Sequence, residues 1–457
     1  MKEQIAKFSL KQALSYIEKN PEENFPKLLN LVDAVAGDGP DSFPDHRRGI
    51  REAIENPDSS MYKFIMGLFN DIDNDVLKKT FENFFLNAGI FSAPKLRKSK
   101  EKYNCNVPFT ILLDPTSACN LHCTGCWAAE YGNKLNLTNE EIDSIITQGK
   151  ELGIYMYIFT GGEPLVRKKD LLEICRKHND VQFLCFTNGT LIDDEFAEEL
   201  LKVKNFIPAL SIEGFEDATD FRRGEGTYAK VKNAMKILRE HKLPFGASCC
   251  YTSKNMDSIA SDEFFDDLIA EGVKFMFLFH YMPVGNEADT DLLPTPEQRK
   301  QIIDKVREVR ATKPIFPMDF QNDARFVGGC IAGGRQYLHI NANGDVDPCV
   351  FIHYSNANIR DKSLIECLQS KIFMEYKENI PFNENQFRPC PMLENPGMIQ
   401  EMVKRSGAHS TDLQSPEAVD NLLTKCEDYA ANWTPTADEV WERVKKEKAE
   451  KEKAKVK

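Results

Sequence analysis

The sequence contains no long apolar run. Its richest one, residues 275–284, is interrupted by His280 and Pro283, so we expect no transmembrane segment. An excess of positive charge is also missing, because 58 Lys and Arg stand against 71 Asp and Glu, for a net charge of −13. A general nucleic-acid binder needs a basic face, so we expect no nucleic-acid partner. After Met1 there is no apolar core with a cleavage site, so no secretory leader is expected.

The cysteines form no framework of the kind found in secreted proteins, although there are 13 of them. This favours a reducing, cytoplasmic location. At 457 residues the chain is too long for one ordinary core, and two or three domains are expected.

Three cysteines are concentrated in one short stretch, where Cys119, Cys123 and Cys126 form a C-x3-C-x2-C pattern. The stretch follows an apolar, strand-like run over residues 109–114. Three thiolates in one loop can hold three irons of a cubic iron–sulfur cluster and leave the fourth iron open. The alternative is zinc, but structural zinc commonly takes four ligands in two close pairs, and no second pair lies nearby in the sequence.

This pattern resembles that of the radical S-adenosylmethionine (SAM) enzymes. The resemblance implies that a [4Fe–4S] cluster binds SAM at its open iron and cleaves it to a 5′-deoxyadenosyl radical, which abstracts hydrogen from a C–H bond. A reductant such as ferredoxin or flavodoxin would supply the electron. Many members carry an aromatic residue before the third cysteine. Here that position is Gly125, and Trp127 is a candidate substitute.

The chain alternates between strand and helix patterns after residue 107, which predicts an α/β fold with a partial, open (β/α)6 barrel. Polar residues follow several of the strands, at the end where barrel enzymes place their chemistry. The Gly-Gly-Glu-Pro stretch after the second strand matches a further element of the family. The resemblance implies SAM contacts from Gly161, Gly162, Glu163, Asn188, Ser211, Glu213 and Arg223.

No catalytic residue is assigned from the sequence. Cys249, Cys250 and Tyr251 on the fifth strand are candidates to donate hydrogen to a substrate radical, but buried cysteine is more often an apolar filler.

A second cysteine set follows the barrel pattern. Cys330 and Cys349 flank a predicted β-hairpin with an Asn-Gly turn at Gly344, an arrangement that resembles the SPASM auxiliary cluster domain. The full SPASM pattern of later cysteines is absent. We therefore expect one auxiliary [4Fe–4S] cluster for electron transfer or structure, with zinc as the alternative. Its expected ligands are Cys330, Cys349, Cys390 and Cys426.

The first hundred residues show a helical pattern, with a capping box at Ser9 and a last helix from Asn74 that Gly89 should stop. A basic linker, residues 95–102, is expected next. The region is rich in phenylalanine, which predicts a helical core or, alternatively, an apolar groove or a peripheral membrane contact. The residues concerned are Phe64, Phe69, Phe81, Phe84, Phe85 and Phe91.

We therefore expect a helical domain (1–100), a radical SAM barrel (105–312), a SPASM-like domain (313–434) and a charged, solvated helical tail (435–457). The expected substrate is apolar, such as a lipid or other small molecule, because of the phenylalanine-rich region. A peptide is the alternative, since many SPASM enzymes modify peptides. A non-catalytic iron–sulfur electron carrier or scaffold is the alternative of a different class, but it leaves the open iron and the Gly-Gly-Glu-Pro stretch unexplained.

Overall fold

The computed structural model describes residue 16 and residues 19–36 and 44–456. The capping box predicted at Ser9 lies outside this part of the chain. The N-terminal region is helical where it is described. Its helices are α1 (Pro21–Ala36), α2 (Pro44–Ile54), α3 (Ser60–Asp71), α4 (Asn74–Thr80), a π-helix (Phe81–Phe91) and α5 (Ala93–Tyr103).

Helical backbone continues through Gly89, where the sequence predicted a stop, and the expected basic linker is helix α5. Tertiary hydrogen bonds explain the wide π-helical turn. The amide of Asn83 donates to the carbonyls of Asn179 and Val181 at 3.0 and 2.9 Å, and Asn87 donates to Asp180 at 2.9 Å. These bonds tie the π-helix to the loop before the third barrel strand, which no local pattern indicates.

The N-terminal phenylalanines divide between core and surface. Phe64 and Phe69 pack against a small core of their own that includes Ile65 and Met66. Phe84 and Phe85, on the π-helix, are 37% and 51% exposed. The helical stripe is therefore partly core, as the periodicity indicated, and partly an exposed aromatic pair.

A nine-stranded sheet forms the centre of the molecule, with strand order β7-β6-β5-β4-β3-β2-β1-β8-β9. All neighbours are parallel except β8 and β9, which form the predicted antiparallel hairpin. The strands are β1 (Thr110–Leu113), β2 (Met156–Phe159), β3 (Gln182–Thr187), β4 (Phe206–Ser211), β5 (Gly246–Tyr251), β6 (Phe275–His280), β7 (Phe316–Asp319), β8 (Tyr337–Ile340) and β9 (Val346–Asp347). A separate pair joins β10 (Tyr354–Ser355) to β11 (His409–Ser410).

The sheet is mostly parallel and flanked by helices, which confirms the expected α/β class, and it extends the six predicted strands at both edges. Strand β7 contains Pro317, which is tolerated because β7 lies at the sheet edge. Strand β8 pairs in parallel with β1, opposing His339 to Leu112. The predicted hairpin thereby joins the C-terminal region to the barrel sheet.

Helices cover the sheet and build the C-terminal region. In chain order they are α6 (Asn139–Leu152), α7 (Lys168–Lys177), α8 (Asp194–Val203), α9 (Glu216–Arg223), α10 (Thr227–Glu240), α11 (Met256–Ile259), α12 (Asp262–Ala270), α13 (Pro296–Thr312), α14 (Ala324–Val327), α15 (Leu364–Leu368), α16 (Lys371–Asn379), α17 (Pro396–Ser406) and α18 (Val419–Val456). Within the described ranges, none of the helices is long and apolar enough to cross a membrane.

One hydrophobic core runs through both the barrel and the C-terminal region, reaching Val440 on α18. Helix α18 continues through the expected boundary at residue 434. Its charged end packs on α13, where Arg443 lies 2.6 Å from Asp304 and Arg307 lies 2.6 Å from Glu447. This part of the expected solvated tail is therefore paired with the barrel surface. The division into domains at the stated residues stays a prediction.

Candidate functional site

The cysteine loop, residues 119–126, follows β1 at its carboxyl end. Its three thiols are half-buried, whereas most other thiols of the chain are buried. Burial raises the pKa of Cys119 to about 11, and the nearby thiols of Cys123 and Cys126 add to that rise. The backbone N–H of Leu121 donates to the Cys119 sulfur at 3.4 Å. Three accessible, neighbouring thiols in one loop are a donor set that fits a cubic cluster with one open iron.

The Gly-Gly-Glu-Pro stretch packs directly on the cysteine loop. A Cβ on Gly161 would lie 2.7 Å from the carbonyl oxygen of Thr116, and one on Gly162 would lie 2.3 Å from that of Ala118. The N–H of Glu163 donates to the same Ala118 oxygen at 2.8 Å. Glycine at these two positions therefore permits the backbones of the two loops to pack against each other.

Glu163 is buried, and protein donors surround its carboxylate. It accepts hydrogen bonds from the Thr187 hydroxyl at 2.7 Å, the Asn188 N–H at 2.7 Å and the Leu165 N–H at 2.9 Å. Burial outweighs these bonds and raises the pKa of Glu163. The Asn188 side chain donates in turn to Asn120 in the cysteine loop at 2.8 Å. The Gly-Gly-Glu-Pro stretch, the end of β3 and the cysteine loop are thus joined in one network.

A buried ion cluster lies beyond the end of β4. Glu213 is fully buried and accepts from Arg222 Nη1 at 2.6 Å, from Arg223 Nε at 2.8 Å and from the Cys250 N–H at 2.8 Å. Burial by itself would raise the pKa of Glu213, but the two arginines outweigh it, and the pKa is lowered. Arg223 also reaches toward the cysteine loop, with Nη1 at 3.9 Å from the Cys123 sulfur.

Arg222 is a residue that the sequence reasoning missed in favour of its neighbour. It is buried, and its carbonyl accepts from the N–H of Thr124 in the cysteine loop at 2.8 Å. Its position directly before Arg223 was the signal in the sequence that could have indicated it. Both guanidinium groups converge on Glu213, so the pair acts as a unit.

The aromatic partner of the cysteine loop is Tyr281, which follows β6. A Cβ on Gly125 would lie 2.6 Å from the Tyr281 ring, so glycine is required where the family often has an aromatic residue. Trp127, the candidate substitute, packs elsewhere. Its ring lies 5.6 Å from that of His339 and 6.3 Å from that of Phe351, both in the C-terminal region.

The ends of β4 and β5 carry the remaining predicted residues. Ser211 is the last residue of β4 and opposes Ser248 of β5. Cys249 is fully buried in the core, and the Tyr251 hydroxyl donates to Asp319 at 3.3 Å. Cys250 alone of the three candidate hydrogen donors is half-buried, and burial raises the pKa of its thiol to about 11.

The second cysteine set brings three of its four predicted members together. Besides burial, the Cys349 thiol raises the pKa of Cys330, and the Cys330 and Cys349 thiols raise that of Cys390. Burial raises the pKa of Cys349 to about 11. Backbone N–H groups of Phe351 and Leu393 donate at 3.4 Å to the sulfurs of Cys349 and Cys390 respectively. The thiols of such a site must lose their protons when metal binds.

Cys426, the fourth predicted member of the second cysteine set, lies on α18 and is fully buried. Burial raises the pKa of its thiol to about 12, and the charges that act on it are those of Lys425, Glu417 and Glu394. The same Glu394 carboxylate accepts from the Cys390 N–H at 2.7 Å. Among the described residues, no three Cys, His, Asp or Glu side chains converge as ligands of a single metal ion do. The thiolates of a cubic cluster each bind a different iron.

A row of phenylalanine rings, the aromatic lining, extends from β3 and β6 to the loop that follows β9; four of its members are partly buried and Phe351 is buried. Neighbouring ring centroids in this aromatic lining are 5.2–6.2 Å apart. Trp127, next to the third loop cysteine, continues the row 6.3 Å from its last ring. The members are Phe186, Phe277, Phe279, Phe320 and Phe351. Phe277 and Phe279 lie two residues apart on β6, so they share one face of the sheet. The sequence does not show that they contact rings from distant segments.

The fold and these sites define an α/β protein with two separate cysteine sets at a partial barrel. Residues 113–260 match the family model of the radical SAM superfamily, and residues 330–392 match the SPASM iron–sulfur cluster-binding domain. The chain therefore contains a radical SAM domain and, C-terminal to it, a SPASM domain. These matches imply SAM, a [4Fe–4S] cluster and an auxiliary iron–sulfur cluster as cofactors.

Individual relatives agree with this assignment. The chain is 28% identical over 270 residues to an uncharacterized protein of Methanocaldococcus jannaschii, covering 56% of this chain and 90% of that one. It is 24% identical over 304 residues to the AdoMet-dependent heme synthase of Methanosarcina barkeri, covering 60% and 86%. Its fold is similar to that of Streptococcus suis SuiB bound to precursor peptide SuiA, with a TM-score of 0.50, 18% identity and coverage of 61% and 68%.

Proposed function

We propose that this protein is a radical SAM enzyme that abstracts hydrogen from a C–H bond of an apolar small molecule held inside the barrel. Cys119, Cys123 and Cys126 would hold the catalytic [4Fe–4S] cluster. When bound, the cluster and SAM supply the radical that abstracts the hydrogen. The protein positions these groups and excludes water.

The chain's own residues would hold SAM through the network around the cysteine loop. The loop that would face the cluster contains Gly161, Gly162 and Glu163. Asn188 would hold this loop in place, because its N–H donates to Glu163 and its side chain donates to Asn120. Arg223 would face the SAM carboxylate with its planar fork, held in place by Glu213. Ser211 ends the neighbouring strand within the same rim, where barrel enzymes place their chemistry.

The observation that carries the substrate class is the aromatic lining. At one end, Trp127 beside the third loop cysteine contacts Phe351, whose N–H donates to the sulfur of Cys349 in the auxiliary set. From Phe351 the row continues to rings on β6 and β3. A substrate between the two cysteine sets would therefore contact aromatic rings. Such rings favour an apolar, planar molecule. An electron released by the substrate would pass to the auxiliary site.

Among apolar substrates, a tetrapyrrole is the first class to test. An AdoMet-dependent heme synthase is among the relatives, and a large conjugated ring suits an aromatic lining. A lipid is the other apolar class, and the exposed pair Phe84 and Phe85 would suit a membrane contact. We place the enzyme in a reducing cytoplasm, with ferredoxin or flavodoxin as the reductant.

The test uses anaerobically reconstituted protein with reductant and SAM. We expect 5′-deoxyadenosine to rise when a deuterated tetrapyrrole is added, with deuterium transferred from the tetrapyrrole into the 5′-deoxyadenosine. Phe279→Leu should raise the substrate concentration needed for half-maximal rate about tenfold. The matched control is Phe316→Leu, on the exposed edge of β7 and 43% exposed, which should behave as wild type. Equal effects of the two substitutions would contradict binding at the aromatic lining.

A peptide is the second candidate substrate, because the SuiB structure with a similar fold holds a precursor peptide. Deuterium transfer from a peptide and none from tetrapyrroles or lipids would select this alternative. Intact clusters that form no 5′-deoxyadenosine with any substrate, even with cell extract added, would favour a non-catalytic iron–sulfur protein.

A further inference from the structure

Arg299, on α13, places a fully buried positive charge in the core, and the network around the cysteine loop does not include it. Its Nη1 lies 2.8 Å from Glu394 Oε1, and that side chain is fully buried as well. Nε donates to Asn322 at 2.9 Å, and Nη2 donates to the Phe387 carbonyl at 3.3 Å. The guanidinium carbon lies 4.2 Å from the centre of the Trp433 ring. Arg299 is therefore held in one position, with a carboxylate beside it.

Glu394 belongs to the turn that begins at Cys390 of the second cysteine set. Its Oε2 accepts from the Cys390 N–H at 2.7 Å, and its own N–H donates to the Cys390 carbonyl at 3.3 Å. The N–H of the preceding residue, Leu393, donates to the Cys390 sulfur at 3.4 Å. The Glu394 carboxylate therefore holds the backbone of this cysteine and places a negative charge close to its sulfur.

Stability alone is a poor reason for such a pair, because apolar residues of similar size are often as stable in the place of a buried ion pair. Its charges matter more to a cluster. The reduction potential of an iron–sulfur cluster depends on the charges, hydrogen bonds and solvent exposure around its sulfurs. In the low dielectric of a core, a nearby carboxylate opposes an added electron, and a guanidinium paired with the carboxylate reduces that opposition.

We propose that Glu394 and Arg299 are positioning residues of the auxiliary cluster: Glu394 fixes Cys390 as a ligand, and Arg299 offsets the carboxylate charge and raises the reduction potential. The inference rests on Cys390 being one of the proposed ligands and holds whichever substrate the enzyme takes. In the proposed function the auxiliary site receives the electron that the substrate releases. The potential that this pair sets therefore determines how favourable the transfer is.

The test isolates the auxiliary cluster in the full chain by replacing Cys119, Cys123 and Cys126 with alanine. This parent variant should bind about four irons after anaerobic reconstitution. Its reduction potential is measured by following the electron paramagnetic resonance signal during a titration with dithionite and redox mediators. All variants are measured at pH 9, well above the usual pKa of a carboxyl group, so that the Glu394 carboxylate stays ionised without its partner.

The two charges should act with opposite sign. Glu394→Gln removes the negative charge, so the cluster should become easier to reduce by about tenfold, which is about 59 mV for one electron. Arg299→Met leaves the carboxylate unpaired and should lower the potential by a similar factor. Since the charges offset each other, the double variant should return close to the parent potential. Glu141→Gln is the matched control and should keep the parent potential, because it breaks a different pair, with Arg360 at 2.6 Å.

A purely structural role would change iron content or stability without shifting the potential in opposite directions. Parent-like potentials in both single variants would overturn the proposal, as would shifts of the same sign, loss of the cluster from both single variants, or zinc in place of iron in the parent. Where one single variant holds no cluster, the sign of the shift in the other decides.

Cys390→Ala tests the ligand on which the inference rests. This variant should lose iron, and an iron count and spectrum equal to those of the parent would remove Cys390 from the ligand set and overturn the inference with it. None of these measurements uses substrate or 5′-deoxyadenosine, so failure of the proposed function would leave them unaffected.

Discussion

Replacing His339 with asparagine tests an ion cluster between the barrel and the C-terminal region. His339 lies on β8, fully buried, with Nε2 at 2.9 Å from Asp114 Oδ1 and Nδ1 at 3.5 Å from Asp347 Oδ2. Asp114 follows β1 directly before the cysteine loop, and Asp347 ends β9. The imidazole therefore links the end of β1, which precedes the cysteine loop, to the hairpin that lies between Cys330 and Cys349.

The charge of this imidazole sets the magnitude of the effect. Burial by itself lowers the pKa of His339, but attraction to Asp114 and Asp347 outweighs burial and raises it to about 9. Relative to about 6.5 in an unfolded chain, protonation then stabilises the fold by about 3 kcal/mol. Because the folded pKa is the higher one, this stabilisation is complete below pH 6.5. It is lost as the pH rises through 9.

The assay is the free energy of unfolding by urea, measured under anaerobic conditions at pH 6 and pH 9.5. Between pH 6 and pH 9.5 the free energy of unfolding of wild type should fall by about 3 kcal/mol more than that of His339→Asn, because the variant lacks the titrating imidazole. His409→Asn, at an exposed position on β11, is the matched control and should follow wild type. An equal dependence on pH in wild type and His339→Asn would refute the reasoning.

Two further substitutions test the catalytic rim. Glu213→Gln removes the buried charge that two arginines face, so we expect a loss of about 3–5 kcal/mol in the free energy of unfolding and weaker SAM binding in titrations. The exposed Glu216→Gln should change neither, and a wild-type result for both would contradict the ion cluster. Gly162→Ala places a Cβ 2.3 Å from a carbonyl oxygen of the cysteine loop, so reconstituted protein should hold fewer irons per chain. Gly397→Ala, with open space around it, should keep the wild-type iron count.

Local patterns predicted the features whose signal lies within a few residues. The C-x3-C-x2-C loop and the Gly-Gly-Glu-Pro stretch are each formed by consecutive residues. Each follows a strand that an apolar run in the sequence predicts. The hairpin between β8 and β9 was predicted because an Asn-Gly turn specifies it locally. The family match followed from the same short motifs.

Contacts between distant segments were beyond such patterns. Tyr281 covers Gly125 from a position more than a hundred residues away in the chain, so the family's usual aromatic position appeared empty. The stop expected at Gly89 failed because Asn83 and Asn87 are held by carbonyls of a remote loop. Strand β7 was not predicted. It contains Pro317, which is tolerated because the strand lies at the edge of the sheet.

By itself the sequence determined the α/β class and the motifs of a radical SAM domain and a SPASM domain, because spacing along the chain specifies these features. Tertiary structure alone decided that Arg222 joins Arg223 on Glu213 and that His339 bridges two strands. Spacing along the chain cannot predict these contacts, since chain separation says little about which groups a folded core brings together.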